Sequence, residues 1–128
     1  MNKELILDLI SSCILNKELE KNYVLDQVTL RKIKEQTFLP YIYIATKKEK
    51  YKTFYLQALL AQEKFTLIGE KIEQLLNEAR IPHIFFKGYY LRHFYPDIAL
   101  RMLGDIDFYV EPKYIKQVKN ILINIGFK

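Results

Sequence analysis

Hydrophobic positions in the first eighty residues recur at helical spacing. Leu5, Ile6, Leu9, Ile10, Cys13 and Ile14 form one apolar face, with Glu4, Asp8 and Ser12 opposite. Asp26 is placed to cap a second helix that runs to about Gln36, although Val28 and Thr29 are weak helix formers inside it. The stretch from Phe38 to Thr46 is ambiguous, because Tyr41-Ile42-Tyr43-Ile44 suits a strand equally well. Its flanks are helical and no partner strand lies nearby, so a helix is expected. The longest helix is predicted from about Lys52 to Ala79, where Ala58, Ala61, Phe65, Ile68, Ile72, Leu75 and Ala79 recur at steps of three and four. Such a stripe is core packing. Arg80 and Ile81-Pro82 end it.

The pattern then changes. Ile81-Pro82-His83-Ile84-Phe85-Phe86 is a short apolar run that reads as a strand ending at Lys87-Gly88. Tyr89 to Tyr95 fits a short helix stopped by Pro96. Asp105 to Val110 has the Ile, Phe, Tyr and Val content of a second strand. Glu111-Pro112 opens a last helix whose buried face is predicted to hold Ile115, Val118, Ile121, Leu122 and Ile125, with Gly126 as its C-terminal cap. Strand, helix, strand, helix makes a small α/β unit. The expected fold class is therefore α+β, with a helical region over residues 1–80 packed on an incomplete α/β core over residues 81–128, the two forming one compact unit. A two-strand sheet has exposed edges, so homo-oligomerisation through an edge or a helical surface is a further expectation.

At 128 residues and 50% hydrophobic content the chain has enough apolar material for one core. Twenty Lys and Arg against 15 Asp and Glu give a net charge of +5, which suits a polyanionic ligand without requiring one. Residues 1–80 carry 13 basic and 11 acidic side chains and residues 81–128 carry 7 and 4, so no dedicated nucleic-acid arm is present. Cys13 is the only cysteine, which excludes an internal disulfide and makes a reducing, cytoplasmic setting the expectation. No stretch approaches the length of a membrane span, so no membrane partner is expected. The 10 Tyr and 8 Phe are read as core and interface filling.

Candidate chemistry concentrates in Arg101-Met102-Leu103-Gly104-Asp105-Ile106-Asp107 and in Lys87-Gly88. If Asp105 and Asp107 both lie in a strand they share one face with Tyr109, about 7 Å apart at Cα. Two like charges so placed call for a cation, and hard divalent ions prefer oxygen ligands. Taken alone, Asp-x-Asp is more often the solvated side of a sheet. The context upstream supplies the distinction: a strand, a glycine turn and a helix start present free backbone N–H groups to an anion, with Lys87 and Arg101 adding positive charge. A phosphate cradle beside two carboxylates is what phosphoryl or nucleotidyl transfer uses. His83 and His93 have no neighbours at metal-ligand spacing and read as structural or surface residues. The run Lys47 to Lys52 fits either an RNA contact or a solvated helix start.

Over about 47 residues, Ile81 to Phe127, the order apolar strand, Lys-Gly, short helix, Tyr-Pro, Arg-x-x-Gly-Asp-Ile-Asp, apolar strand, helix, Gly-Phe resembles the nucleotidyltransferase superfamily typified by DNA polymerase β. The resemblance is nearest to an uncharacterised bacterial group in which Lys-Gly stands where most members have Gly-Ser. It implies that Lys87 and Gly88 contact the phosphates of a nucleoside triphosphate, where the planar charge of Arg101 is also expected, and that Asp105 and Asp107 are catalytic carboxylates and ligands of Mg²⁺ or Mn²⁺. Tyr89 replaces the usual Ser, so one hydroxyl contact is lost and Lys87 must compensate. The superfamily takes a third carboxylate from a later strand; no acid follows Glu111, and the chain is expected to be truncated before that strand. Two functions follow: Mg²⁺-dependent transfer of a nucleoside monophosphate from an NTP to an unknown hydroxyl acceptor, or a non-catalytic nucleotide-binding or protein-interaction module of the same fold.

Overall fold

The computed structural model describes residues 3–19, 21–23 and 25–128. Their elements are helices α1 (Lys3–Leu15), α2 (Gln27–Glu35), α3 (Leu39–Thr46) and α4 (Lys52–Glu78), strand β1 (His83–Phe86), helix α5 (Lys87–Leu91), strand β2 (Asp107–Val110) and helix α6 (Ile115–Asn124), with short 3-10 turns between them. The α+β class expected from the sequence is what the structure shows. Two compact units are present, residues 1–62 with 94–102 and residues 63–93 with 103–128, and the first boundary falls inside α4. No helix of the described residues is long and apolar enough to cross a membrane.

In the first unit, α1 buries Leu5, Ile6, Leu9 and Cys13 as its spacing requires. Ser12 is buried as well, on the side the pattern assigned to solvent. Its Oγ donates to the Lys17 carbonyl at 2.6 Å, and the Lys17 N–H returns to the Ser12 carbonyl at 3.1 Å. Asn16 makes this closure possible by taking φ +51°. Asp26 caps α2 by accepting from the Thr29 N–H at 2.7 Å. The ambiguous segment is helix α3, with Tyr41 and Ile42 buried and Tyr43, Ile44 and Ala45 packed around the same core. A helix that is apolar on nearly all sides is a buried helix, which is why its composition mimicked a strand. Segment 94–102 is stitched to this core by two tyrosines. Tyr41 donates to the Leu100 carbonyl at 3.0 Å, and Tyr55 donates to Asp97 at 2.8 Å, while Asp97 caps Ile98–Leu100 through the Ala99 N–H at 2.9 Å.

The second unit packs Ile72, Leu76, Ile81 and Val118 together, with Phe85, Phe108, Val110, Ile121 and Leu122 around them. α4 ends in a Schellman closure: Arg80 takes φ +55°, the Ile81 N–H bonds the Leu76 carbonyl at 2.9 Å, and both side chains sink into the core. α6 closes in the same manner at Gly126, φ +102°, with the Phe127 N–H on the Leu122 carbonyl at 3.0 Å. The expected face of α6 is only partly covered. Val118 is buried, but Ile115 and Ile125 are exposed, because a sheet of two strands is narrower than the apolar arc of the helix. An open apolar groove of about 480 Å³ results, lined by residues that include Val110, Ile115, Leu122 and Phe127.

The buried line of α4 also differs from the predicted stripe. It runs through Ala58, Gln62, Gly69, Ile72 and Leu76, while Ile68 is exposed. Gly69 has a specific reason to be there. A Cβ built on it would stand 2.2 Å from Cζ of Tyr89, so the ring lies in a notch that only glycine leaves open. Tyr89 in turn touches Phe85 at 4.9 Å between centroids and carries the Arg92 guanidinium 4.2 Å above its ring. Gly69→Ala is expected to destabilise the chain by about 1–3 kcal/mol through overpacking, outweighing the roughly 1 kcal/mol that alanine gains in helix propensity. Urea midpoints check this, and Gly69→Ala/Tyr89→Leu should recover part of the loss.

Burial pushes Cys13 from 9.0 to about 12 and Tyr41 from 10.0 to about 12; burial and the hydrogen bond to Asp97 do the same for Tyr55. Each folded value lies above the ordinary one, so the unfolded chain releases these protons first. The stability they carry is complete at neutral pH and is lost as pH rises through about 12. Melting temperature is expected to fall between pH 10 and 12 together with the rise of tyrosinate absorbance.

Candidate active site

β1 and β2 pair antiparallel in the register His83 to Val110, Ile84 to Tyr109, Phe85 to Phe108 and Phe86 to Asp107. Phe85 and Phe108 face the core, with ring centroids 5.6 Å apart. Alternation then puts Phe86 and Asp107 on the opposite face. At Phe86 the chain leaves the ladder and Lys87 begins α5 directly. Lys-Gly is therefore the first two residues of the helix rather than a turn preceding it, and the helix continues as a 3-10 turn over Arg92–Phe94.

That abrupt change is made by Lys87 itself, at φ +50°, in the left-handed region disfavoured for a residue with a Cβ. Its ammonium lies 3.4 Å from Asp107 Oδ1 and 5.5 Å from the centroid of the Phe86 ring. Lys87 is mostly exposed and Asp107 is three-quarters covered, so the pair contributes under about 1 kcal/mol to stability; its importance is geometric. Gly88 is buried. The Arg92 side chain holds the other end of the turn, its Nε donating to the Tyr89 carbonyl at 3.1 Å and its Nη1 to Thr66.

Asp105 is exposed and lies before β2, which begins at Asp107. Strand alternation therefore does not place Asp105, contrary to the reading that put Asp105, Asp107 and Tyr109 in one strand. Arg101 is a half-buried residue of the first unit, where it ends the Ile98–Leu100 turn. Its Nε is a buried nitrogen without a hydrogen-bond partner among the described residues.

The donor shown beside Lys87 is the Asp107 carboxylate, an oxygen ligand of the kind a hard cation takes. Among the described residues no three His, Cys, Asp or Glu side chains come together to hold a metal. Such a set fits Mg²⁺, which binds through one or two carboxylates and completes its shell with water and substrate phosphates. It does not fit an ion that needs a full protein cage.

A family model for uncharacterised nucleotidyltransferases matches residues 17–128. The chain belongs to this family. No curated protein and no solved structure matches it. The match covers the whole second unit and the first from residue 17 on, including Lys87, Gly88, Asp105 and Asp107.

Sequence reasoning passed over Gly69, Thr66 and Arg92, and read Tyr89 only as the residue in place of the usual Ser; together these four hold the start of α5. The available signal was Gly69, a lone glycine in an otherwise strong helix, which marks a close approach. For Lys87, relief of the left-handed strain makes Lys87→Gly more stable by about 1 kcal/mol, whereas Lys87→Ala gains nothing. Thermal melts of the two variants at neutral pH check this.

Proposed function

We propose that the second unit carries the nucleotide end of a nucleotidyltransferase site, using an NTP and Mg²⁺ to place a nucleoside monophosphate on a hydroxyl acceptor. The observation that supports it is the Lys87 to Asp107 contact at 3.4 Å, formed at the neighbouring ends of two paired strands in a chain of this family. A cation for phosphate and a carboxylate for metal then stand side by side. In this reading Lys87 and the Gly88 backbone hold the triphosphate, and Asp105 and Asp107 hold the metal. A metal held there would supply neutralisation of the phosphate charge while the acceptor oxygen bonds the α-phosphorus and pyrophosphate leaves. Lys87 serves two roles. Without nucleotide it balances Asp107; with nucleotide it turns to the phosphates and frees the carboxylate.

A second reading, nucleotide binding without transfer, is favoured by the donor set, because among the described residues no third His, Cys, Asp or Glu joins Asp105 and Asp107 to act as base for an acceptor hydroxyl. Binding and transfer are measured separately. Thermal-shift titrations with ATP, CTP, GTP and UTP, each with Mg²⁺ or Mn²⁺, are expected to show a metal-dependent rise in melting temperature. Asp105→Asn/Asp107→Asn should abolish that rise, and Lys87→Ala should reduce it. No shift at millimolar nucleotide would refute the site. Pyrophosphate release with a hydroxyl acceptor then separates transferase from binding module.

A further inference from the structure

The outer face of the sheet is not the polar surface that alternation ordinarily gives a solvated strand pair. Ile84 and Tyr109, opposite each other in the ladder, are 65% and 54% exposed, and Phe86 beside them is 37% exposed. Asp107 is the charged member of this face. Apolar and aromatic groups kept in water on a rigid element mark a surface that binds something.

The face is chemically polarised. At one end stand Asp107 and Lys87, with the ammonium 5.5 Å over the Phe86 ring. Two residues along each strand, about 7 Å away, stand Ile84 and Tyr109. A matching ligand has an anionic group at one end and a flat apolar body a short linker away from it. A nucleotide has that shape: phosphates, ribose, base.

We infer that Ile84, Phe86 and Tyr109 form the seat of the nucleobase of the NTP whose phosphates lie at Lys87 and Gly88. This inference rests on the proposed function and deepens it. Stacking on an aromatic and aliphatic surface uses the π-face that every base has, and no side chain of the seat other than the Tyr109 hydroxyl can read a base edge. The site is therefore expected to bind the four NTPs with similar affinity.

The test compares inorganic tripolyphosphate, which has no base, with ATP and UTP, all with Mn²⁺, by isothermal titration calorimetry. Tyr109→Thr and Ile84→Thr remove the seat at exposed positions and leave a strand-favouring β-branched residue at each, so the fold is retained. The wild type is expected to bind ATP and UTP more tightly than tripolyphosphate. Tyr109→Thr should weaken both nucleotides about ten-fold and leave tripolyphosphate unchanged. Unchanged nucleotide affinity in both variants, or a parallel loss for nucleotides and tripolyphosphate, overturns the seat and assigns the face to some other partner. A wild type that binds neither ligand class refutes the phosphate reading itself, and the seat with it.

Discussion

The register of a four-residue ladder is the constraint on which the candidate site depends. Because side chains alternate along a strand, the pairing of Phe85 with Phe108 on the inside fixes Phe86 and Asp107 on the outside. A slip of one residue would turn Asp107 into the core and Phe108 into water. The cost of burying a carboxylate without a partner excludes that arrangement. Hydrophobic burial on one side of the sheet thus specifies charge placement on the other, and two strands suffice for it.

The same economy extends to α5. Its first residues carry the charge and the close backbone, but its position is held from below by Tyr89 in the notch of Gly69 and by the buried Arg92. Arg92 is compensated by a carbonyl, a hydroxyl and a ring face rather than by a bonded carboxylate among the described residues. These contacts tie the start of α5 to helix α4, so Lys87 and Gly88 sit on a packed element.

Much of this was legible in the sequence. Amphipathic spacing located α1 and α4, Asp26 announced its own cap, and Gly126 announced the end of α6. The unreadable parts have physical causes. Ser12 and Gln62 are buried polar residues whose hydrogen-bonding groups are engaged, which a hydrophobic pattern cannot register. Gly69 is buried because of a ring twenty residues away, and that distance hides it from any local window. Asp105 looked like a strand residue because the run after it is one, yet the ladder has no β1 residue to pair with it: α5 has already begun at Lys87. The Lys-Gly and Asp-x-Asp motifs made the family legible, and the family match bears out that family. Their mutual geometry came only with the register.

The left-handed backbone at Lys87 sets stability and chemistry against each other at one position. A glycine there would sit comfortably but carry no charge; an arginine would keep the charge and the strain, with a planar head in place of a point-like ammonium. Selection for a more robust fold alone would drift this residue toward glycine. Its retention as lysine would then be a signature that the charge has been maintained at the expense of thermostability, legible in any set of descendants grown hot or cold.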